Sequence, residues 1–402
     1  MAEIIRGSVI IIAEIHWHYA WQVHHEVAAG LGALGYDVHF ISTWPRRWWP
    51  GWQKTRKYLS SRAGRQTYHE GTYSQSVPVG VTLIPPNGIP EHRPLERWFN
   101  RHVVVPRLIK RLQSYGLKRP LTVINYVPLN YALAIQRALC PDVSMYYCVS
   151  DWENVVHTRA IQVYERELIR MSDITLANAP FLTHHLSELG AQPVFRPEGK
   201  NYEMYEPVRR AVPPPRERPL CAYFGNIGMN TDDDLLVRVS QRYPLRIIGS
   251  FNTPVEGLSA ETELIPPVPH KELPELLADV DVLILPYDAN APHMRGVFPA
   301  KTFECLAMGK PIVMIGLQYF EDFADVMYIC NSADEFLDMI AVAAQENDPA
   351  LRERRLQRAR ENTDKAMIAF FDQTIQEIAA HKLGKATADY PAFCSLPKNV
   401  RS

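Results

Sequence analysis

Short apolar segments typical of β-strands alternate with amphipathic segments typical of α-helices along almost the whole chain. This alternation constrains the fold most, because strands joined by helices are typical of parallel sheets covered by helices. The strand patterns lie at 8–12, 37–41, 81–84, 121–125, 143–148, 173–176 and 192–196, and again at 220–224, 245–249, 264–268, 281–285 and 311–315. The sequence therefore predicts an α/β protein with doubly wound, Rossmann-like sheets.

The strand and helix patterns fall into two halves on either side of a proline-rich stretch. The 402 residues are enough for two domains, and residues 207–219 contain five prolines, which suit neither a helix interior nor a central strand. We predict domains at 1–198 and 199–363 that face each other across a cleft. A helical tail at 364–402 is predicted to pack across the domain junction.

Charge and cysteine content exclude several classes of protein. Charged residues make up 22% of the chain, as in globular proteins, and the net charge of −1 argues against a general nucleic-acid coat protein. Residues 1–196 hold 21 basic and 14 acidic residues, whereas the remainder is acidic, so the two halves should have different partners. The six cysteines have no zinc or redox spacing, and the early apolar run Val9–Ala13 is too short for a signal sequence. These features predict a cytoplasmic protein.

The segment 298–313 carries the clearest functional signal. Pro299 suits the first turn of a helix and Gly309 suits its end, so Lys301 and Glu304 would share one face. A lysine in the first turn opposes the helix dipole, at a cost of a few tenths to ~1 kcal/mol, unless an anion binds there. Lys301 and Arg295 could hold a diphosphate, and Glu304 could accept hydrogen bonds from ribose hydroxyls. The alternative is an ordinary surface Lys–Glu pair.

Two glycine-containing loops are predicted to belong to the same site. Gly225 and Asn226 follow one strand, and Gly249 and Ser250 follow the next, where a ligand could approach the backbone. The helix after the first loop opens with Thr231 and three aspartates, so its N-terminus is already neutralised. We therefore place the phosphates at Lys301.

The run LPYDANAPHMRGVFPAKTFECLAMGKPIV resembles the donor-binding signature of GT-B glycosyltransferases, near family 4 and the glucuronosyltransferase of xanthan assembly. The preceding blocks CAYFGNIG, LRIIGS and VPHKELPELLADVDVLILPY are similar to other donor-domain blocks. The resemblance implies a nucleotide-sugar donor, with residues 268–270 beside the base. From the family, the expected donor is a UDP-sugar. The predicted donor-binding residues are Lys301, Glu304, Arg295, Gly225, Asn226, Gly249, Ser250, Val268, His270, Tyr287 and Thr302. Retaining family-4 enzymes usually carry a Glu where this chain has Gly296, which weakens a retaining mechanism.

On the acceptor side, Asp151 follows a strand and is the predicted general base. Its block is similar to the stretch of the xanthan-assembly enzyme that carries the base; the alternative is a turn or helix-cap aspartate. His16 and His18, after the first strand, are further catalytic candidates. No metal or cofactor besides the donor is expected, because the neighbouring histidines have no clear carboxylate partner, and His24 and His25 are predicted to be ordinary helix residues.

A segment rich in tryptophan and basic residues is predicted to contact a membrane. Residues 44–65 hold four tryptophans and seven Lys/Arg without an acid. Such loops favour anionic lipid surfaces, and residues 93–119 add eight basic residues. The predicted membrane or acceptor residues are Trp44, Arg46, Arg47, Trp48, Trp49 and Trp52. Single-stranded nucleic acid is the less favoured partner, and a loop that stacks on a soluble sugar is the remaining alternative.

Together these features predict a glycosyltransferase that transfers a sugar from a nucleotide diphosphate to a glycan or polyprenyl-linked acceptor. It would invert the anomeric configuration, and it would work on the inner face of the cell membrane in polysaccharide or glycolipid assembly. Three alternatives stay open. They are a retaining family-4-type transferase, a nucleotide-sugar 2-epimerase of the same fold, and a non-catalytic sugar-nucleotide-binding protein.

Overall fold

The computed structural model of the chain describes residues 6–18, 21–42, 76–84, 91, 93–155, 160–211, 213–251 and 254–385. The chain divides into two compact units. Unit 1 comprises the chain up to Asn178, Leu182–Arg196 and the chain from Met367 onward, and unit 2 comprises Ala179–Phe181 and Pro197–Ala366. The predicted boundary at 198/199 lies two residues from the division at 196/197.

Unit 1 contains a parallel sheet that has seven strands within the described residues. The strands are β1 (Ser8–Ala13), β2 (Asp37–Ser42), β3 (Val81–Ile84), β4 (Thr122–Asn125), β5 (Val143–Cys148), β6 (Ile174–Ala177) and β7 (Val194–Phe195). Their order is β3-β2-β1-β4-β5-β6-β7. Every residue of β1, β4 and β5 is buried, as expected of central strands covered by helices on both faces.

Helices connect these strands and cover the sheet. They are α1 (Val23–Ala33), α2 (Pro94–Phe99), α3 (Val105–Ser114), α4 (Asn130–Leu139), α5 (Trp152–Val155), α6 (Ala160–Met171) and α7 (Pro180–Glu188), with a π-helical turn, Asn100–Val104, between α2 and α3. The apolar face of α3 buries Leu108 and Leu112, while its basic residues face outward. This amphipathic pattern is why the segment folds as a helix on the sheet.

Unit 2 contains a second parallel sheet, of six strands within the described residues. They are β8 (Cys221–Phe224), β9 (Leu245–Ile248), β10 (Glu263–Ile265), β11 (Val282–Leu285), β12 (Ile312–Ile315) and β13 (Tyr328–Cys330), in the order β10-β9-β8-β11-β12-β13. The helices are α8 (Glu206–Arg210), α9 (Asp233–Arg242), α10 (Leu273–Leu277), α11 (Thr302–Met308), α12 (Ala333–Ala344), α13 (Pro349–Glu361) and α14 (Asp364–Lys385), whose residues from Met367 belong to unit 1.

The long C-terminal helix α14 completes the core of unit 1. Met367, Phe371 and Ile375 are fully buried and pack with residues of β1, β2, β4 and β5. Asp372 on the same helix accepts a hydrogen bond from the Tyr36 hydroxyl at 2.7 Å. The last described helix is therefore part of the first unit's hydrophobic core.

In both sheets the order in which successive strands are added changes sides beside the first strand. In unit 1 the reversal lies between β1 and β4, and in unit 2 between β8 and β11. Ligands of doubly wound sheets bind at such switch points, beyond the carboxyl ends of the strands. The predicted fold class is confirmed: the chain has two doubly wound parallel α/β units.

Candidate functional site

The switch point of unit 2 brings together the loop after β8 and Lys301. The Lys301 ammonium donates a hydrogen bond to the Tyr223 hydroxyl at 2.9 Å and lies 4.2 Å from the centre of that ring. A Cβ atom added to Gly225 would lie 2.5 Å from Nζ, so any other residue here would displace the ammonium from this position. The Tyr287 ring, just after β11, lies 5.8 Å from the same nitrogen.

Lys301 is a cation that has no ion-pair partner among the described residues. Within the part of the chain that the structure describes, no carboxylate lies at ion-pair distance from its ammonium, and aromatic rings surround it instead. Aromatic faces attract a cation but do not neutralise it. A positive charge at a switch point can therefore bind an anionic group of a ligand.

The helix that carries these residues begins later than the sequence predicts. α11 starts at Thr302, with Lys301 as its N-cap, and the Thr302 amide donates to the Pro299 carbonyl at 2.9 Å. Pro299 therefore lies in a turn before the helix, and its placement in the first helical turn was wrong. Gly309 does end the helix, with φ of 69° in the left-handed region.

Glu304 lies one turn along α11 and is held by two side chains. The Tyr205 hydroxyl donates to Oε1 at 3.0 Å, and His270 Nε2 lies 2.6 Å from the same oxygen. Burial alone would raise the pKa of Glu304, but the His270 hydrogen bond and the charge of Lys200 hold it below its ordinary value. The hydrogen bond to Glu304 raises the pKa of His270 in turn. Glu304 is therefore a buried carboxylate.

The structure gives contacts or burial for the remaining predicted donor-binding residues. Ser250 donates to the Asn226 amide oxygen at 2.8 Å, and a Cβ on Gly249 would lie 1.9 Å from the Gly225 carbonyl oxygen, so the two glycine loops touch. The Arg295 guanidinium lies 4.9 Å from the Phe181 ring. Thr302 is fully buried, and its hydroxyl has no hydrogen-bond partner among the described residues. Val268 is half-buried, two residues before His270.

In unit 1, Asp151 lies where the sequence puts it, beyond the carboxyl end of β5. It is 5% exposed, directly precedes α5, and accepts a hydrogen bond from the Asn154 amide at 2.6 Å. A buried pair lies nearby in the fold: His185 Nε2 is 2.9 Å from Glu165, and the hydrogen bond to that carboxylate raises the pKa of His185, with a smaller contribution from Asp151. Asp151 is therefore a buried carboxyl group beyond the carboxyl end of a central strand, and its role as the base stays a prediction.

The loop after β1 and the first turn of α1 are joined by a pair of side chains that sequence reasoning missed. His24 Nε2 lies 3.0 Å from Glu14, and both side chains are almost fully buried beside the switch point of unit 1. The expectation that these histidines have no carboxylate partner was wrong, because α1 folds back over the end of β1 and brings residues ten positions apart together. Glu14 is an acid directly after a buried strand, the same signal that identified Asp151.

The other histidines of this loop differ in exposure. His18 is exposed, whereas His16 is half-buried, and burial followed by the nearby His18 lowers its pKa. His25 accepts from the Gln22 amide at 3.1 Å, and burial lowers its pKa to about 4, so it is neutral at pH 7. The lowered pKa favours the neutral form of His16, and the catalytic roles of His16 and His18 stay predictions.

The predicted membrane or acceptor residues Trp44, Arg46, Arg47, Trp48, Trp49 and Trp52 lie outside the described residues. Among the described residues no cluster of three or more metal-binding side chains occurs. No described helix is both long enough and apolar enough to cross a bilayer.

One curated relative shares sequence with this chain. The putative teichuronic acid biosynthesis glycosyltransferase TuaH of Bacillus subtilis is 25% identical over 224 residues, which are 50% of this chain and 56% of TuaH. The match therefore spans little more than half the length of that relative. No family model matches the chain.

Solved structures resemble the whole chain. A glycosyltransferase from Rickettsia africae has a TM-score of 0.61 at 12% identity, over 95% of this chain and 100% of that one. Anabaena Alr3699/HepE, solved in complex with UDP and glucose, has a TM-score of 0.57 at 10% identity, over 92% and 99% of the two chains. The chain has the GT-B fold. At these identities the likeness concerns the fold alone.

Proposed function

We propose that this protein is a glycosyltransferase that uses a nucleotide-diphosphate sugar, most simply a UDP-sugar. One observation carries the proposal: the ammonium of Lys301, which has no ion-pair partner among the described residues, lies at the switch point of unit 2, with the Glu304 carboxylate one turn away. A diphosphate supplies the missing countercharge, and a ribose supplies hydroxyl donors for Glu304. The likeness to TuaH, a putative glycosyltransferase, supports the transfer activity, and the fold shared with HepE, which was solved in complex with UDP and glucose, supports the donor class.

The proposed reaction is a direct displacement at the anomeric carbon of the sugar. The acceptor oxygen forms a bond to that carbon while its proton passes to Asp151, and the bond to the diphosphate breaks with its electron pair. Lys301 and Arg295 stabilise the charge that develops on the leaving diphosphate. The sugar is thereby transferred with inversion, and the reaction requires no metal ion.

The acceptor is proposed to be a glycan or a polyprenyl-linked glycan at the cytoplasmic face of the membrane. Support among the described residues comes from α2 and the turn after it, where Leu95 and Trp98 are 74% and 55% exposed in the same segment as Arg97 and Arg101. Apolar and basic side chains on one surface favour an interface with anionic lipid. Cell-surface polysaccharide or glycolipid assembly is the pathway class that fits such an acceptor.

The proposal is tested by incubating the protein with UDP-sugars, with and without a polyprenyl-diphosphate glycan, in the presence of EDTA. We expect transfer only with acceptor, and NMR of the product should show the inverted anomer. Asp151→Asn should lower the transfer rate by about 10²- to 10⁴-fold, the usual contribution of a general base, while donor binding is kept. Glu188→Gln, at an exposed acid of unit 1, is the control.

Other results would identify the rivals. A retained anomer indicates a retaining transferase, and conversion of the donor without acceptor indicates an epimerase. Binding without turnover, unchanged by Asp151→Asn, indicates a non-catalytic sugar-nucleotide-binding protein.

A further inference from the structure

The two oxygens of the Glu304 carboxylate have different surroundings. Oε1 accepts from the Tyr205 hydroxyl at 3.0 Å and lies 2.6 Å from His270 Nε2. Oε2 accepts a hydrogen bond from no side chain among the described residues. One oxygen of a buried carboxylate is therefore saturated, and the other keeps its capacity to accept.

Of the two side chains that contact the Glu304 carboxylate, Tyr205 is the buried one. Its side chain is fully buried on the short helical turn Glu203–Tyr205, which belongs to unit 2 and lies 99 residues before Glu304 in the sequence. Burial, and then the charge of Glu304, raise the pKa of its hydroxyl well above the ordinary value. The hydroxyl therefore keeps its proton and acts as a permanent donor to Oε1.

The contact between His270 and the carboxylate is shorter than that of Tyr205, but it involves an exposed ring that titrates. The His270 side chain is 59% exposed, and its donor strength depends on pH. The terminal torsion of a glutamate side chain is broad, so the carboxylate rotates readily unless a second contact holds it. The Tyr205 hydroxyl supplies that second, pH-independent contact.

We infer that Tyr205 is a positioning residue for nucleotide recognition, which holds Oε1 of Glu304 so that Oε2 is presented to the ribose hydroxyls of the donor. The inference rests on the proposed function, because it takes the donor to be a nucleotide. It adds a residue outside the donor-binding signature and assigns separate tasks to the two carboxylate oxygens.

The inference is tested by calorimetric binding of UDP, GDP and ADP and of their 2′-deoxy and 3′-deoxy forms. Wild-type protein should prefer the ribose form, and Glu304→Gln should lose that preference. Tyr205→Phe should reduce the preference by about tenfold, the usual effect of one hydrogen bond to a charged group. Tyr202→Phe is the matched control in the same segment: the Tyr202 ring packs on Arg209, and its hydroxyl has no described partner.

A second measurement needs no variant of Tyr205. Because ribose would take Oε2, the bond between His270 and Oε1 should survive, and the pKa of His270 should stay above its ordinary 6.5 when nucleotide is bound. NMR titration of the His270 ring in wild-type protein, with and without UDP, measures this. A return of the His270 pKa to 6.5 on binding would show that ribose displaces His270 from Oε1, and would overturn the inference.

The results separate this inference from the proposed function. If none of the three diphosphates binds wild-type protein, or if binding shows no preference for ribose, the proposed donor site is wrong. If wild-type protein prefers ribose and Glu304→Gln abolishes the preference, but Tyr205→Phe keeps it in full, only the role of Tyr205 is wrong.

Discussion

Replacing Gly225 with alanine tests whether the Lys301 ammonium binds the diphosphate, because it adds one carbon atom next to that ammonium. The new Cβ would lie 2.5 Å from Lys301 Nζ. An ordinary contact needs roughly 3.5 Å, so the flexible end of Lys301 must move by about 1 Å and lose its 2.9 Å hydrogen bond to Tyr223. A displaced ammonium loses a charge-assisted hydrogen bond to phosphate of about 1.5–3 kcal/mol. We therefore expect UDP to bind about 10- to 150-fold more weakly.

The control variant, Gly257→Ala, separates the loss of UDP affinity from the effect of backbone strain. Gly225 and Gly257 both have φ in the left-handed region, at 117° and 86°, so alanine strains either site by roughly 1–3 kcal/mol. An alanine at Gly257 would meet only Val237, at an ordinary 3.4 Å. Both variants should unfold at lower temperature in calorimetry, but only Gly225→Ala should lose UDP affinity. If Gly225→Ala bound UDP as tightly as wild type, the ammonium would not be the phosphate-binding group.

Two further predictions follow from the contacts of unit 2 and unit 1. In Glu304→Gln the pKa of His270 should fall to or below 6.5, because the carboxylate that raises it is gone while burial and Lys200 still lower it. NMR titration of the His270 ring measures this pKa, and an unchanged value would contradict the pairing of His270 with Glu304. Leu95→Ser should weaken co-sedimentation with anionic vesicles by about tenfold, since burying a leucine contributes at least 1.5 kcal/mol, whereas Val163→Ser, at another exposed apolar residue, should not. Equal losses in both variants would exclude α2 as the lipid contact.

The strands were predictable because central strands of parallel sheets are continuous buried apolar runs. The run Ser8–Ala13 is wholly buried, as its sequence suggests. The edge strand Tyr328–Cys330 was missed, because three residues are too few to show a period. The start of α11 was misplaced because a proline suits both the first helical turn and the turn before a helix.

The candidate site was predictable only where its residues are close in sequence. Lys301 and Glu304 are three positions apart, so one helix brings them together. Tyr205 and Glu304 are 99 positions apart, and Glu14 meets His24 only because α1 folds over β1. Contacts of this kind depend on the tertiary fold, and one sequence carries no local signal for them.

The position of α14 constrains how the protein folds during translation. Unit 1 buries Met367, Phe371 and Ile375 among its own strands, yet the whole of residues 197–366 is synthesised before them. While residues 197–366 are being synthesised, the nascent first unit therefore lacks side chains that belong to its hydrophobic core. A stop codon just after residue 363 would leave the second sheet intact and deprive the first of the helix that closes its core.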